Sequence, residues 1–244
     1  MHQLPPITFA AAPWNITIWQ RAQLLVFNLF VRCYRLSTAE WITQVTTGEQ
    51  QHFKGQDGAQ RAKRWLEATT RADVAWVNPD RVAVRKLTFK WTSGGTFSYD
   101  IGGLLLGGDY DGEEFLAECK NYTKARDQNQ MYNEYLAKNY LALQSQPSRC
   151  DHFMWITWSA FATNSWDELC TTDRVRGAVL GESERALGVP AAEASSKINF
   201  DLCDEVAKRL WLIVLSEKQE RHLILSPEHQ GLIRGHVTRM AAMR

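Results

Sequence analysis

Two short, uninterrupted apolar runs constrain the fold of this 244-residue chain more than any other feature. Residues 152–158 read HFMWITW and residues 210–216 read LWLIVLS. Neither alternates and each is shorter than an ordinary helix, which is the pattern of a strand covered on both faces. Such strands need helices above and below them. Residues 59–70 (AQRAKRWLEATT) put Ala62, Trp65, Leu66 and Thr69 on one side of a helix and Arg61, Lys63, Arg64 and Glu67 mostly on the others. Residues 124–143 read as a long helix closed by SQPSRC, and NFDLCDEVAKRL as another. After the turn signal Asn78-Pro79-Asp80, RVAVRKLTFKW is expected as a strand, with 96–106 and 114–120 as two more joined by the turn GGDYDGE. Residues 160–200 show no clear period, and a short strand or tail is expected at 223–225. This order predicts an α/β domain, a mixed β-sheet core flanked by helices. Residues 16–34, apolar on more than one face, are expected as a packed helix. The organisation is then an N-terminal helical extension over 1–50 and the main domain over 51–244.

Composition removes several classes of function. The chain is 45% hydrophobic with ten Trp and ten Phe, enough for a substantial core and unlike a disordered chain. Its five cysteines (Cys33, Cys119, Cys150, Cys170, Cys203) are scattered without a CxxC pair and read as free thiols, and the six histidines lack a second ligand at zinc spacing. The most apolar window, 24–31, is far short of a membrane span, and the opening residues lack a signal-peptide pattern. A cytoplasmic protein without membrane attachment is expected. No GxSxG supports acyl transfer, and no GxxxxGK[ST] supports ATP binding, so any ATP-driven step requires a separate ATPase or helicase partner.

The formal charge of +1 hides a polarity. Residues 54–90 carry nine bases against four acids, and residues 109–118 carry five acids and no base. A basic segment leading to an acidic focus suits a polyanion handled together with a cation.

The stretch FSYDIGGLLLGGDYDGEEFLAECKNYTKARDQNQMYNEY brings the chemistry together. On a strand, Glu118 and Lys120 face one side and Cys119 the other. A hairpin-like return sets Asp100 beside Glu118. Two carboxylates without a His or Cys partner make a hard-oxygen site suited to Mg²⁺ or Mn²⁺, and an adjacent ammonium can orient water and stabilise an anionic transition state. Phe115, Leu116 and Ala117 put this pair at the edge of a core, where unpaired charge is costly. Gln128 and Tyr132 follow, four residues apart on one helix face.

With those residues the sequence resembles the PD-(D/E)xK nuclease superfamily. The resemblance covers roughly residues 55–160 and implies a restriction-endonuclease-like fold and a Mg-dependent deoxyribonuclease. It implies Asp100, Glu118 and the Cys119 carbonyl as metal ligands and Lys120 as manager of the nucleophilic water. Gln128 and Tyr132 match a QxxxY element that supports the lysine and the DNA backbone. Arg61, Arg64, Arg85 and Lys86 are the expected phosphate contacts. Tyr99 stands where the motif's Pro would be, and Gln60 where the first helix usually supplies a Glu, Glu67 being the one acid within it. The leading expectation is an endonuclease of a defence or mobile-element system, with a homodimer supplying the two active sites that cutting both strands requires. The alternative is a non-catalytic DNA-binding or assembly subunit that keeps the nuclease fold.

Overall fold

The computed structural model describes residues 57–121 and 127–243. The expected helix at 16–34 and the whole extension over 1–50 lie outside the described residues. A helix over 57–69, here α1, is followed by β1 (Ala72–Val77), α2 (Arg81–Leu87), β2 (Thr88–Lys90), β3 (Thr96–Ser98), β4 (Ile101–Leu105) and β5 (Glu114–Lys120). Then come α3 (Gln128–Ser145), β6 (His152–Thr157), α4 (Thr172–Gly181), α5 (Ser183–Ala186), α6 (Ala191–Lys197), α7 (Phe200–Lys208), β7 (Leu210–Val214), α8 (Glu217–His222) and α9 (Pro227–Ala242).

The main sheet has the order β1-β4-β5-β6-β7. Its first two pairings are antiparallel and its last two parallel, so it is a mixed sheet in an α/β arrangement. The helix α3 is the crossover that lets β5 and β6 run parallel. Two cores lie on opposite faces of this sheet. On one, Ala59, Ala62 and Leu66 of α1 meet Phe115, Ala117, Cys119, Met154 and Ile156. On the other, α3, α4 and α7 cover Leu116, Phe153 and Trp155 together with α2 and the β2–β3 hairpin. Strand β6 is buried along its full length, as its unbroken apolar run requires.

The sequence patterns and the structure part company in four places. Residues 81–87 are a helix, not a strand. Asp80 caps it by accepting from the Val82 N–H, and the buried positions are Ala83 and Leu87, four apart, while the alternating Val82 and Val84 are exposed. Residues 96–106 divide between two sheets: β3 pairs with β2, and β4 pairs with β1 and β5. The run at 210–216 is an edge strand, partly exposed and not fully buried. Residues 223–225 join α8 to α9 instead of forming a strand. Strand β1 was not anticipated; it fits only because β4 carries Gly102-Gly103, where a Cβ on Gly103 would overlap the Asp73 carbonyl. Among the described residues no helix is long and apolar enough to cross a membrane.

Candidate functional site

The antiparallel register pairs Ile101 with Ala117, and the Asp100 N–H donates to the Ala117 carbonyl at 3.0 Å, which brings Asp100 beside the Glu118 end of β5. Its Oδ2 accepts from the Cys119 N–H at 2.7 Å. Along β5, Leu116 belongs to the α3-side core and Ala117 and Cys119 to the α1-side core, so Glu118 and Lys120 share the α3 side. There Lys120 Nζ lies 2.6 Å from Glu118 Oε1 and 5.9 Å from the centre of the Trp155 ring. A second ammonium completes the cluster: Lys138 of α3 stands 3.8 Å from the same Glu118 oxygen and 3.4 Å from Glu134.

Electrostatics separate the two carboxyls. Burial opposes charge on Glu118, but Lys120 and Lys138 outweigh it and hold this carboxyl below its usual range. Asp100 goes the other way: burial first, then the neighbouring Glu118 charge, push it up to about 7 against the pull of Lys120, the Cys119 N–H and Lys138. Burial, with both carboxylates adding to it, keeps the Cys119 thiol well above its ordinary pKa. The site is therefore a compact set of two acids and two bases in which Glu118 is the charged acid.

Among the polar atoms in this neighbourhood buried without a hydrogen-bond partner are Glu118 Oε2 and Gln128 Nε2. Gln128 is fixed at its other end, where Oε1 accepts from the Thr157 hydroxyl at 3.3 Å, and Thr157 is the register partner of Lys120. Orphaned polar atoms of this kind cost about 1–3 kcal/mol each unless a water, ion or ligand satisfies them.

Among the described residues, no group of three or more His, Cys, Asp or Glu side chains gathers as a metal cluster. A cation here would have Asp100, Glu118 and the Cys119 carbonyl. Glu67 takes no part: it pairs with Lys63 at 3.1 Å on α1, the helix that covers the opposite face of the sheet.

The remaining expected residues have other places. Tyr132 is fully buried against Trp155, Tyr135 and Phe161, and its hydroxyl donates to the Leu169 carbonyl at 2.9 Å, so it offers no surface to DNA. Arg61 is engaged by both oxygens of the buried Glu220, donates to Asn121 Oδ1 at 2.9 Å and stacks 4.5 Å from the Trp158 ring centre. Arg64 is mostly exposed and 3.8 Å from Glu220. Lys86 lies 5.6 Å from the Trp76 ring centre, and Arg85 is exposed beside it on α2. Since α1 and α2 pack on opposite cores, the four expected phosphate contacts belong to two separate places. Lys138 was missed. Its signal was the i,i+4 spacing from Glu134 on the helix already marked by Gln128 and Tyr132.

No family model matches the chain, and no curated protein matches it. Solved structures similar to it include an Acinetobacter baumannii Cap4 SAVED/CARF-domain containing receptor, at 14% identity and TM-score 0.36 over 77% of this chain and 41% of that one. The same receptor with the cyclic trinucleotide 2'3'3'-cAAA gives 14% and 0.34 over 68% and 32%. The Moraxella osloensis Cap4 SAVED/CARF-domain containing receptor gives 12% and 0.32 over 69% and 34%. The chain thus spans about a third to two fifths of the length of these receptors. Each of them is a SAVED/CARF-domain containing receptor. That similarity to receptors corrects the expected kinship with PD-(D/E)xK nucleases and the Mg-dependent deoxyribonuclease activity that came with it.

Proposed function

We propose that this chain is a non-catalytic binding subunit for phosphodiester-linked nucleic acid, DNA in the first place, built on a restriction-endonuclease-like sheet layout. The observation that carries the reading is Glu118: a buried, ionised carboxylate with one oxygen shared by two ammonium groups and the other without a partner. Most buried polar atoms are satisfied, and a charged one left without a partner is a place where an ion, water or ligand group can bind. A phosphate ester arriving with a divalent cation completes it, the phosphate meeting the ammoniums and the cation meeting the carboxylates. The donor set fits Mg²⁺ or Mn²⁺, which Asp100, Glu118 and the Cys119 carbonyl would hold and which would neutralise phosphate charge.

The same features support binding without hydrolysis. Lys120 is committed to Glu118 at 2.6 Å, Asp100 is drawn toward its neutral form near pH 7, and Glu67 of α1 is paired with Lys63 on the other side of the sheet. With two acids opposed by two bases, the centre has little net attraction for a dication alone. Cation and phosphodiester are therefore expected to bind together.

Fluorescence anisotropy on labelled duplex DNA and on a labelled cyclic trinucleotide, each with Mg²⁺ and with chelator, tests this reading. Gel analysis of the same mixtures reports whether the nucleic acid stays intact. Expected are Mg²⁺-strengthened binding, its weakening by Glu118→Gln, and full-length nucleic acid throughout. Absence of binding to both probes overturns the reading, as does Mg²⁺-dependent cleavage that Lys120→Ala abolishes. Binding of the trinucleotide alone would keep the phosphodiester chemistry and remove DNA as the ligand.

A further inference from the structure

Away from the β5 centre, the charged side chains on the α3 side are not scattered. Glu118 Oε1 bridges Lys120 at 2.6 Å and Lys138 at 3.8 Å. Glu134 Oε1 then bridges Lys138 and Arg185, at 3.4 Å each. Arg185 also reaches Glu182 at 3.3 Å, and its guanidinium lies over Trp91 at 4.0 Å from the ring centre. The hairpin bearing Trp91 is fastened to α5 by Thr92 Oγ1 donating to the Ala186 carbonyl at 2.7 Å and by the Ser93 N–H donating to the Arg185 carbonyl at 3.3 Å. Side-chain exposure rises from 17% and 13% at Lys120 and Lys138 to 44% at Arg185.

From this row we infer that the nucleic-acid backbone is followed by Lys120, Lys138 and Arg185, from the floor of the site out to the β2–β3 hairpin. The inference rests on the reading of the chain as a phosphodiester-binding subunit and names its track. Each neighbouring pair of cations is joined by one carboxylate oxygen, the kind of acceptor that a non-bridging phosphate oxygen replaces. Arg185 is held flat by Trp91, so little of its freedom remains to be lost when it meets a phosphate. An unpartnered, buried Glu118 oxygen marks the inner end of the row. The basic residues of α1 and α2 fall outside it. Arg61 is spent on the buried Glu220, and Lys86 covers Trp76.

Equilibrium binding of labelled duplex DNA over a salt series decides the matter, comparing wild type with Lys138→Gln, Arg185→Gln, Lys138→Arg and Arg61→Gln. Each phosphate contact contributes about 0.9 to the slope of log affinity against log salt. Lys138→Gln and Arg185→Gln are expected to lower that slope by about one each and to weaken binding on the order of tenfold. Lys138→Arg keeps the wild-type slope, and Arg61→Gln leaves it unchanged. Circular dichroism confirms that each variant is folded, and the more exposed Arg185 serves if Lys138→Gln fails to fold. Wild-type slopes in Lys138→Gln and Arg185→Gln, or in Arg185→Gln alone where the other is unfolded, overturn the track and leave the binding reading standing. A wild type that binds no nucleic acid overturns both.

Discussion

Replacing Asp100 by Asn turns the pH dependence of folding into a measure of the site's electrostatics. Burial, and after it the Glu118 charge, raise Asp100 from 3.8 to about 7 in the folded protein. A carboxyl with a raised folded pKa binds its proton more tightly folded than unfolded. Its contribution is complete below the unfolded value and is lost as pH rises through the folded one. Over the whole interval the loss is on the order of 4 kcal/mol, at about 1.36 kcal/mol for each pKa step, and roughly 2–3 kcal/mol of it falls between pH 5 and pH 8. Asn does not titrate, and its side-chain oxygen can still accept from the Cys119 N–H. Urea denaturation at pH 5, 6, 7 and 8 in the presence of chelator should show Asp100→Asn gaining roughly 2–3 kcal/mol on the wild type across that window. Parallel stability curves for the two proteins would refute the claim that burial and Glu118 together disfavour an ionised Asp100.

Three further outcomes follow from contacts away from the ion cluster. Gly103→Ala drives a Cβ into the Asp73 carbonyl at the β1–β4 pairing and should cost about 3 kcal/mol or more in chemical denaturation; a loss under about 1 kcal/mol would mean that β1 does not approach β4 as described. Tyr132→Phe removes the hydroxyl that donates to Leu169 and should cost about 1–2 kcal/mol with nucleic-acid affinity unchanged, whereas a loss of affinity in a stably folded variant would return Tyr132 to the ligand. Arg61→Ala strips the buried Glu220 of its principal partner and should cost about 2–3 kcal/mol, part of which Glu220→Ala in the same chain recovers; strictly additive losses would contradict that pairing.

The stretches most legible in the sequence were those where local pattern and tertiary environment agree. Strand β5 spans Glu114–Lys120 as its pattern predicts, and β6 is buried along its length as HFMWITW implies. The side-by-side placement of Asp100, Glu118 and Lys120 was readable because strand alternation and a short return determine it. Residues 81–87 read as a strand because valine alternation imitates one, while the Asp80 cap and the Ala83–Leu87 spacing carry the helical signal. The division of 96–106 between two sheets depends on which partner each half meets, which alternation does not encode. Lys138 was hidden for a related reason: it reaches Glu118 only because α3 crosses back over β5, a contact between residues twenty apart in the chain. The basic residues looked like one patch because they are close in sequence, and the sheet that separates α1 from α2 divides them.

The most direct test of the central claim is Mn²⁺ electron paramagnetic resonance, with protein titrated into Mn²⁺ with and without a short DNA duplex. Joint binding at Asp100 and Glu118 predicts little loss of the free-ion signal with protein alone. With DNA present, the loss should exceed that caused by DNA alone, and the excess should disappear in Asp100→Ala. An excess that persists in Asp100→Ala, or no excess with the wild type, would contradict the account.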